Sequence, residues 1–278
     1  MKKTSKKRVA AFALALAMAC TSMPVSMETV WAEEIEGTGE TEGTEVCESH
    51  IYGENGYCTS CRQKLLVSVT TADENPTTSY YTDFALAIKE AEKDENTGCT
   101  VTLLSDISLA ETVSISSGNF TLDLDEYILE CSKSTVLIIL GGTIDIIAKE
   151  KGKIKGYNGI CIYGGTVKVA ASIEATYSYG NAIEIKKGNL TVSGGTIKGY
   201  GGIQGTGYGD KSIVIKESAN IEGSYYGISI DASQVCVLKL EIIGGTISGK
   251  LAAIIYTFNK AKLSSGIIIS GGTISCGE

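Results

Sequence analysis

The sequence predicts an all-β fold, a parallel β-solenoid with three short strands in each turn. Three observations support this prediction, and the first is an internal repeat in the second half of the chain. Six short motifs with isoleucine in the second position recur at intervals of 19 to 27 residues. Their isoleucines are Ile154, Ile173, Ile197, Ile221, Ile247 and Ile274.

The second observation is that two further classes of short strand alternate with these motifs. One class joins a small residue to isoleucine, as in Gly159-Ile160 and Ala182-Ile183, and the other precedes an isoleucine motif, as in the strand that begins at Thr166. The third observation is that the turns between strands lack the Asn-Gly pattern of tight hairpins. Three strands in about 24 residues are therefore expected to form one turn of a solenoid.

Stacked turns place equivalent residues about 4.8 Å apart, so the six isoleucines are expected to form one buried column. The residue after each isoleucine then points outward. These outward residues are Lys155, Glu174, Lys198, Glu222, Ser248 and Ser275. Because the charges alternate from turn to turn, the sequence predicts a solvated ladder of ion pairs on this face.

The first 32 residues are predicted to be a secretory signal peptide. Basic residues from Lys2 to Arg8 precede an apolar run over 9–19, and 30–32 offer small residues for cleavage. The apolar run is too short to cross a bilayer, so no membrane span is expected. Lipidation at Cys20 is the alternative, and the alanine three places before it favours plain export.

Cleavage after residue 32 would leave 19 basic and 31 acidic side chains, a net charge of −12. Such an acidic chain is not expected to bind nucleic acid or an anionic membrane. Residues 33–46 are rich in glutamate, glycine and threonine. They offer little apolar surface to bury, so they are predicted to be a disordered acidic linker.

Residues 47–62 carry the pattern of a small zinc knot. Cys47 and His50 form one close pair, and Cys58 and Cys61 form a second after a glycine-containing turn. Two such pairs match the halves of a tetrahedral Cys3His site, which in its closed form is structural rather than catalytic. The alternative is a disulfide with a spare thiol, which export would permit.

This stretch resembles the small zinc-ribbon-like modules of exported proteins from Gram-positive bacteria. The shared pattern is C-x2-H followed by G-x-C-x2-C. The resemblance covers about fifteen residues, and Arg62 stands where those modules usually have glycine.

Residues 63–278 are predicted to form the β-helix domain. It begins with a short strand over 65–69, where apolar residues alternate, and a helix over 82–97. The helix is predicted from the spacing of four apolar residues, Phe84, Ala87, Ile88 and Ala91.

The order of elements resembles a known superfamily. A helix is followed by Cys99-Thr-Val-Thr-Leu-Leu-Ser-Asp-Ile, by Phe120-Thr-Leu-Asp-Leu-Asp and by turns of Gly-Gly-Thr-Ile. This is similar to the pectate-lyase-like superfamily over about residues 81–278. The resemblance implies a right-handed parallel β-helix with a helical cap over its first turn. It does not imply an enzyme, because many surface proteins share the fold.

Polysaccharide lyases and hydrolases need clustered carboxylates, which this sequence does not clearly supply. Glu174 and Glu222 are expected two turns apart, about 9.6 Å. Lys198 between them keeps both carboxylates ionised, so neither is a good acid. Asp123 and Asp125 share a solvent face and are considered as a cation site. No catalytic residue is therefore predicted.

Four tyrosines are expected to line one corner of the solenoid, because each follows an isoleucine motif. They are Tyr157, Tyr177, Tyr200 and Tyr225. Rings at a corner can bind sugar faces or simply protect the backbone, and both interpretations stay open here.

The other cysteines do not suggest a disulfide framework: Cys99, Cys131, Cys161, Cys236 and Cys276.

These observations predict a secreted or cell-surface, non-catalytic β-helix protein for adhesion, display or binding of glycan or protein. The alternative is a polysaccharide-active lyase or glycoside hydrolase, or a degenerate relative of one. No covering element follows the motif of Ile274. We therefore expect this last turn either to continue in a longer protein or to join another chain.

Overall fold

The computed structural model describes residues 47, 49–53, 55–207, 209–232, 237–258 and 266–277. It is a parallel β-solenoid of about seven turns, which confirms the predicted fold class. The predicted signal peptide (1–32) and acidic linker (33–46) lie outside the described residues, as does Cys236.

An antiparallel hairpin and one helix precede the solenoid. In chain order, these elements are β1 (Val67–Thr70), β2 (Thr78–Tyr81), helix α1 (Phe84–Ala91) and a 3-10 turn (Asp94–Asn96). Strand β1 pairs with β2 and, on its other edge, with the first strand of the solenoid, both antiparallel. The hairpin therefore continues the first sheet of the solenoid at its N-terminal end.

The first sheet takes one strand from each turn. Its solenoid strands are β3 (Thr100–Leu103), β6 (Asn119–Asp123), β8 (Thr143–Ile147), β10 (Thr166–Ala170), β13 (Gly188–Gly194), β15 (Lys211–Ile215), β17 (Leu238–Ile242) and β20 (Gly266–Ile269). All neighbours within this run are parallel.

The second sheet holds the other two segments of each turn. Its strands are β4 (Ile107–Ser108), β5 (Val113–Ile115), β7 (Ile128–Ile139), β9 (Lys153–Ile162), β11 (Ser172–Ala175), β12 (Asn181–Ile185), β14 (Thr196–Gly205), β16 (Asn220–Ala232), β18 (Thr246–Gly249), β19 (Ala252–Phe258) and β21 (Thr273–Cys276). Three segments per turn are thus confirmed. In β7, β9, β14 and β16, two segments run on as one strand around a corner.

The predicted isoleucine column is confirmed residue by residue. Each of the six isoleucines pairs in parallel register with the next. The first five are fully buried, whereas Ile274 in the last described turn is 41% exposed. Leu129 and Ile107 continue the column toward the N-terminus. Burial of each aliphatic side chain stabilises the fold by about 2 kcal/mol before entropy is subtracted.

Paired glycines shape the turn between stacked strands. Gly165, with φ +80°, has the left-handed conformation that side chains disfavour. A Cβ atom there would also lie 2.4 Å from the carbonyl oxygen of Gly142 in the turn below. This turn can therefore repeat only if glycine returns at equivalent positions.

Helix α1 is shorter than the predicted 82–97. Asp83 caps its N-terminus, and its Oδ1 accepts a hydrogen bond from the backbone N–H of Leu86 at 2.9 Å. Residues 92–97 are all polar, so a longer helix would have no apolar face to bury. The predicted apolar residues of α1 are buried and belong to the main core. Its role as a lid over the first turn stays a prediction.

Candidate functional site

The Cys3His cluster (Cys47, His50, Cys58, Cys61) is formed by two short turns held face to face. The backbone N–H of Thr59 donates to the carbonyl of Ile51 at 3.0 Å, which joins the two turns. The N–H of Arg62 donates to the carbonyl of Cys58 at 2.9 Å and closes the second turn.

The four ligand atoms of the Cys3His cluster converge on one point, within 4.8 Å of one another. The sulfurs of Cys47 and Cys58 are 3.8 Å apart, and the sulfur of Cys61 is 3.4 Å from Nδ1 of His50. Tetrahedral zinc with bonds of about 2.3 Å to sulfur and 2.0 Å to nitrogen requires separations of about 3.5 to 3.8 Å. The residues present therefore fit a metal ion of this kind.

Hydrogen bonding prepares one sulfur of the cluster for a metal. Backbone N–H groups of Cys61 and Ile51 lower the pKa of Cys58 to about 5. Burial and the neighbouring sulfurs raise the pKa of Cys47 to about 11. Negative charge on neighbouring sulfurs disfavours a thiolate at Cys47, and a bound cation would offset that repulsion. The three cysteines of the cluster are free, so the structure does not contain the alternative disulfide.

Arg62 adopts φ +60°, the left-handed conformation usual for glycine. This is the position where the sequence departs from the zinc-ribbon-like pattern. The turn therefore has the conformation expected for the zinc-ribbon-like pattern, although arginine is less suited to that conformation than glycine.

The cluster is attached to the hairpin rather than to the solenoid core. His50 forms an antiparallel bridge with Tyr80 of β2. The ring of Tyr52 stacks on that of Tyr80, with centroids 5.1 Å apart. Cys58 and Leu65 are buried but lie outside the main core cluster. The knot thus has a small interior of its own.

The predicted ladder is confirmed in its register: Lys155, Glu174, Lys198 and Glu222 are neighbours in successive turns. Lys198 pairs with Glu222 at 3.8 Å. Glu174 takes its ion pair from Lys153 at 3.0 Å rather than from Lys155.

Lys155 instead pairs at 3.6 Å with Glu130, one turn earlier, which the sequence analysis did not include. Glu174 and Glu222 are each paired with an ammonium group. A lysine therefore occupies each of these carboxylates, whereas a glycosidase acid must present its carboxyl group to the glycosidic oxygen.

Asp123 and Asp125 are not arranged as a cation site. Oδ1 of Asp123 accepts a hydrogen bond from the backbone N–H of Asp125 at 2.8 Å. The carboxylate of Asp125 pairs with Lys149 at 2.7 Å. One of the two carboxylates is therefore already neutralised by a lysine.

The four predicted corner tyrosines do lie together, and a fifth joins them. We call this array the tyrosine ridge: Tyr157, Tyr177, Tyr179, Tyr200 and Tyr225. Tyr157 stacks on Tyr177 with centroids 4.0 Å apart, and Tyr200 stacks on Tyr225 at 4.8 Å. Tyr179 connects the two stacks by T-shaped contacts of 5.8 and 5.3 Å. The ridge is thus one continuous aromatic surface.

Sequence analysis missed a polar patch beside the ridge: Asn181, Glu184, Lys186, Gln204 and Thr206. Lys186 forms an ion pair with Oε1 of Glu184 and donates a hydrogen bond to Oγ1 of Thr206 at 3.0 Å. The same hydroxyl of Thr206 donates to Glu184 at 3.1 Å. These polar residues occupy outward positions of neighbouring strands, such as Glu184 of β12 and Gln204 of β14. Comparing such positions in the sequence would have predicted the patch.

The remaining described cysteines are free: Cys99, Cys131 and Cys161 are buried, and Cys276 is exposed. Cys161 lies beside Glu184, with its sulfur 3.5 Å from Oε2. Burial raises the pKa of Cys161 to about 12, which keeps it a thiol at neutral pH. It is therefore not an activated nucleophile.

Comparison of the chain with protein families, curated proteins and solved structures gives no match in any of the three. Within the described part of the chain, no helix is long and apolar enough to cross a membrane.

Proposed function

We propose that this chain is an exported, non-catalytic β-solenoid protein that binds glycan or protein outside the cell. The observation that carries the proposal is the tyrosine ridge, which spans consecutive turns as one partly exposed aromatic surface. Tyrosine combines a large apolar face with a hydroxyl group, and it is enriched at binding interfaces for that reason.

Export and display are supported by the sequence rather than by the fold. The predicted signal peptide and acidic linker would place the knot and the solenoid outside the cell membrane. The order of helix, strands and Gly-Gly-Thr-Ile turns supports kinship with the pectate-lyase-like superfamily. The zinc-ribbon-like pattern of residues 47–62 supports a Gram-positive source.

A binding role is favoured over catalysis because five of the carboxylates on the solenoid faces are held in ion pairs. This holds for Glu130, Glu174, Glu222 and Glu184, and for Asp145, which pairs with Lys168. A carboxylate held by a lysine is not presented to a substrate oxygen, as a general acid must be.

The Cys3His cluster is proposed to hold one structural zinc ion. Three sulfurs and one imidazole nitrogen are the donor set that zinc prefers in closed sites. All four positions are filled by protein, so no position is left for a substrate. The zinc would stabilise the knot at the N-terminal end of the solenoid.

The binding proposal is tested with the zinc-loaded chain from residue 33 onward. It is applied to arrays of glycans and of extracellular proteins, next to a variant with Tyr177, Tyr179 and Tyr225 changed to alanine. The same samples are incubated with plant and host polysaccharides and assayed for new reducing or unsaturated ends. We expect binding that the variant loses, without new ends. New chain ends, or binding that the variant retains, would contradict the proposal.

A further inference from the structure

We infer that the tyrosine ridge and the polar patch form one site for a neutral glycan chain lying along the solenoid. This inference rests on the proposed binding function and adds the chemical class of the ligand. The two parts of the site have separate roles. The ring faces of the ridge bind the sugar ring, and the polar side chains of the patch form hydrogen bonds with its hydroxyl groups.

The ridge and the patch are continuous through Tyr226. Its ring makes T-shaped contacts with Tyr200 and Tyr225 of the ridge, at 5.8 and 6.2 Å. Its hydroxyl donates to Oδ1 of Asn181 at 2.8 Å, and Nδ2 of Asn181 donates to Oε1 of Gln204 at 2.7 Å. Tyr226 is itself buried, so it holds the amides of Asn181 and Gln204 next to the rings of the ridge from below.

Tyr179 is the ring best placed to hold a sugar. The rings of each stacked pair cover one of each other's faces, as Tyr200 and Tyr225 do at an interplanar angle of 9°. Tyr179 has only T-shaped contacts within the ridge and is 68% exposed. The C–H groups on one face of a sugar ring carry partial positive charge, and the negative face of an aromatic ring attracts them.

Glu184 and Gln204 are placed to form hydrogen bonds with the hydroxyl groups of the sugar. They are neighbours across strands β12 and β14, so their side chains leave the same face about 4.8 Å apart. Lys186 and Thr206 both bond to Oε1 of Glu184, which fixes the carboxylate in place. A fixed carboxylate and an amide provide acceptors and donors for adjacent hydroxyl groups at little cost in side-chain entropy.

Charge selects a neutral ligand over an acidic one. Lys186 is paired with Glu184, and Lys198 with Glu222, so each ammonium already has a carboxylate beside it that an acidic ligand would have to displace. The acidic excess of the chain repels polyanions as well. Uronate-rich and sulfated chains are therefore disfavoured on this surface.

The test is isothermal titration calorimetry on the zinc-loaded chain from residue 33 onward. The probes are neutral hexasaccharides of β-linked glucose, mannose and xylose, with hexagalacturonate as the anionic comparison. We expect at least one neutral probe to bind about tenfold more tightly than hexagalacturonate. Tyr179→Ala and Gln204→Ala should each weaken that binding about tenfold, and Tyr57→Ala, which removes an exposed tyrosine of the knot, should leave it unchanged. Melting curves check that each variant is folded.

Failure of the inference differs from failure of the proposed function. If no neutral probe binds, or if Tyr179→Ala binds as tightly as the parent chain, the inference is wrong. Ridge-dependent binding of hexagalacturonate or of a protein would overturn the neutral-glycan site and leave the binding function in place. The absence of any ligand on the glycan and protein arrays would overturn both.

Discussion

Tyr200 and Tyr225 stack face to face across neighbouring turns, with ring centroids 4.8 Å apart and ring planes 9° from parallel. This separation equals the spacing of about 4.8 Å between strands in a sheet. The two rings thus stack at the distance between neighbouring turns, at the register shift between β14 and β16. A solenoid in which tyrosine returns to one corner of successive turns presents an extended aromatic surface.

The Cys3His cluster should hold one zinc ion per chain. His50→Ala is expected to lose that zinc, because a tetrahedral site with three ligands is opened to water and chelators. Metal analysis of purified protein measures the change. Cys276→Ser is the matched control, since Cys276 lies outside the cluster and is exposed. Equal zinc in His50→Ala and the parent chain, or no zinc in either, would contradict the assignment.

Glycine in place of Arg62 should strengthen the knot. Arg62 has φ +60°, which costs a residue with a side chain about 1 kcal/mol relative to glycine. We expect Arg62→Gly to hold zinc several-fold more tightly in competition with a chelator. Arg62→Ala removes the charge but keeps the backbone strain, so it should bring no such gain. Equal zinc affinities for the two variants would show that the turn is not strained.

The isoleucine column and the ladder beside it should differ sharply in their effect on stability. Ile197→Asp puts an unpaired charge into a fully buried position and is expected to cost about 4 kcal/mol or more. Lys198→Ala removes a lysine from an exposed ion pair and should cost under about 1 kcal/mol. Chemical denaturation measures both values. Similar losses for the two variants would contradict the observed register.

Much of this architecture was predictable from the sequence because the repeat determines the register. The column through Ile197 and the order of Lys155, Glu174 and Lys198 both follow from one residue that recurs in each turn. Side-chain partners were less predictable. A lysine side chain is long enough to reach diagonally, which is why Lys153 rather than Lys155 pairs with Glu174.

The two tyrosine rings that sequence analysis missed lie where the repeat is interrupted. Tyr179 lies between β11 and β12, in a connection whose length is not shared by the other turns. Tyr226 follows a register shift near the corner of β14 and β16. Local insertions of this kind change which way a side chain points, so periodicity alone could not place either ring.

Alkaline pH should weaken the packing of Tyr226. Burial raises its pKa to about 12, whereas an unfolded tyrosine ionises near pH 10. The stabilisation is therefore complete below about pH 10 and is lost as the pH rises toward 12. The melting temperature of the parent chain should fall toward that of Tyr226→Phe over this range.

Both chains in this comparison should carry Cys161→Ala, because the pKa of Cys161 is also raised to about 12. A constant difference in melting temperature from pH 9 to pH 12 would show that Tyr226 does not contribute in this way.

The most direct test of the ridge as the binding surface is a tyrosine fluorescence titration of the chain from residue 33 onward. The only tryptophan, Trp31, precedes this segment, so its emission comes from tyrosine. With the neutral hexasaccharides as probes, we expect a saturable change whose midpoint rises about tenfold in Tyr179→Ala and stays the same in Tyr57→Ala. A saturable change of equal size and midpoint in Tyr179→Ala, or no change in the parent chain with any probe, would contradict the account.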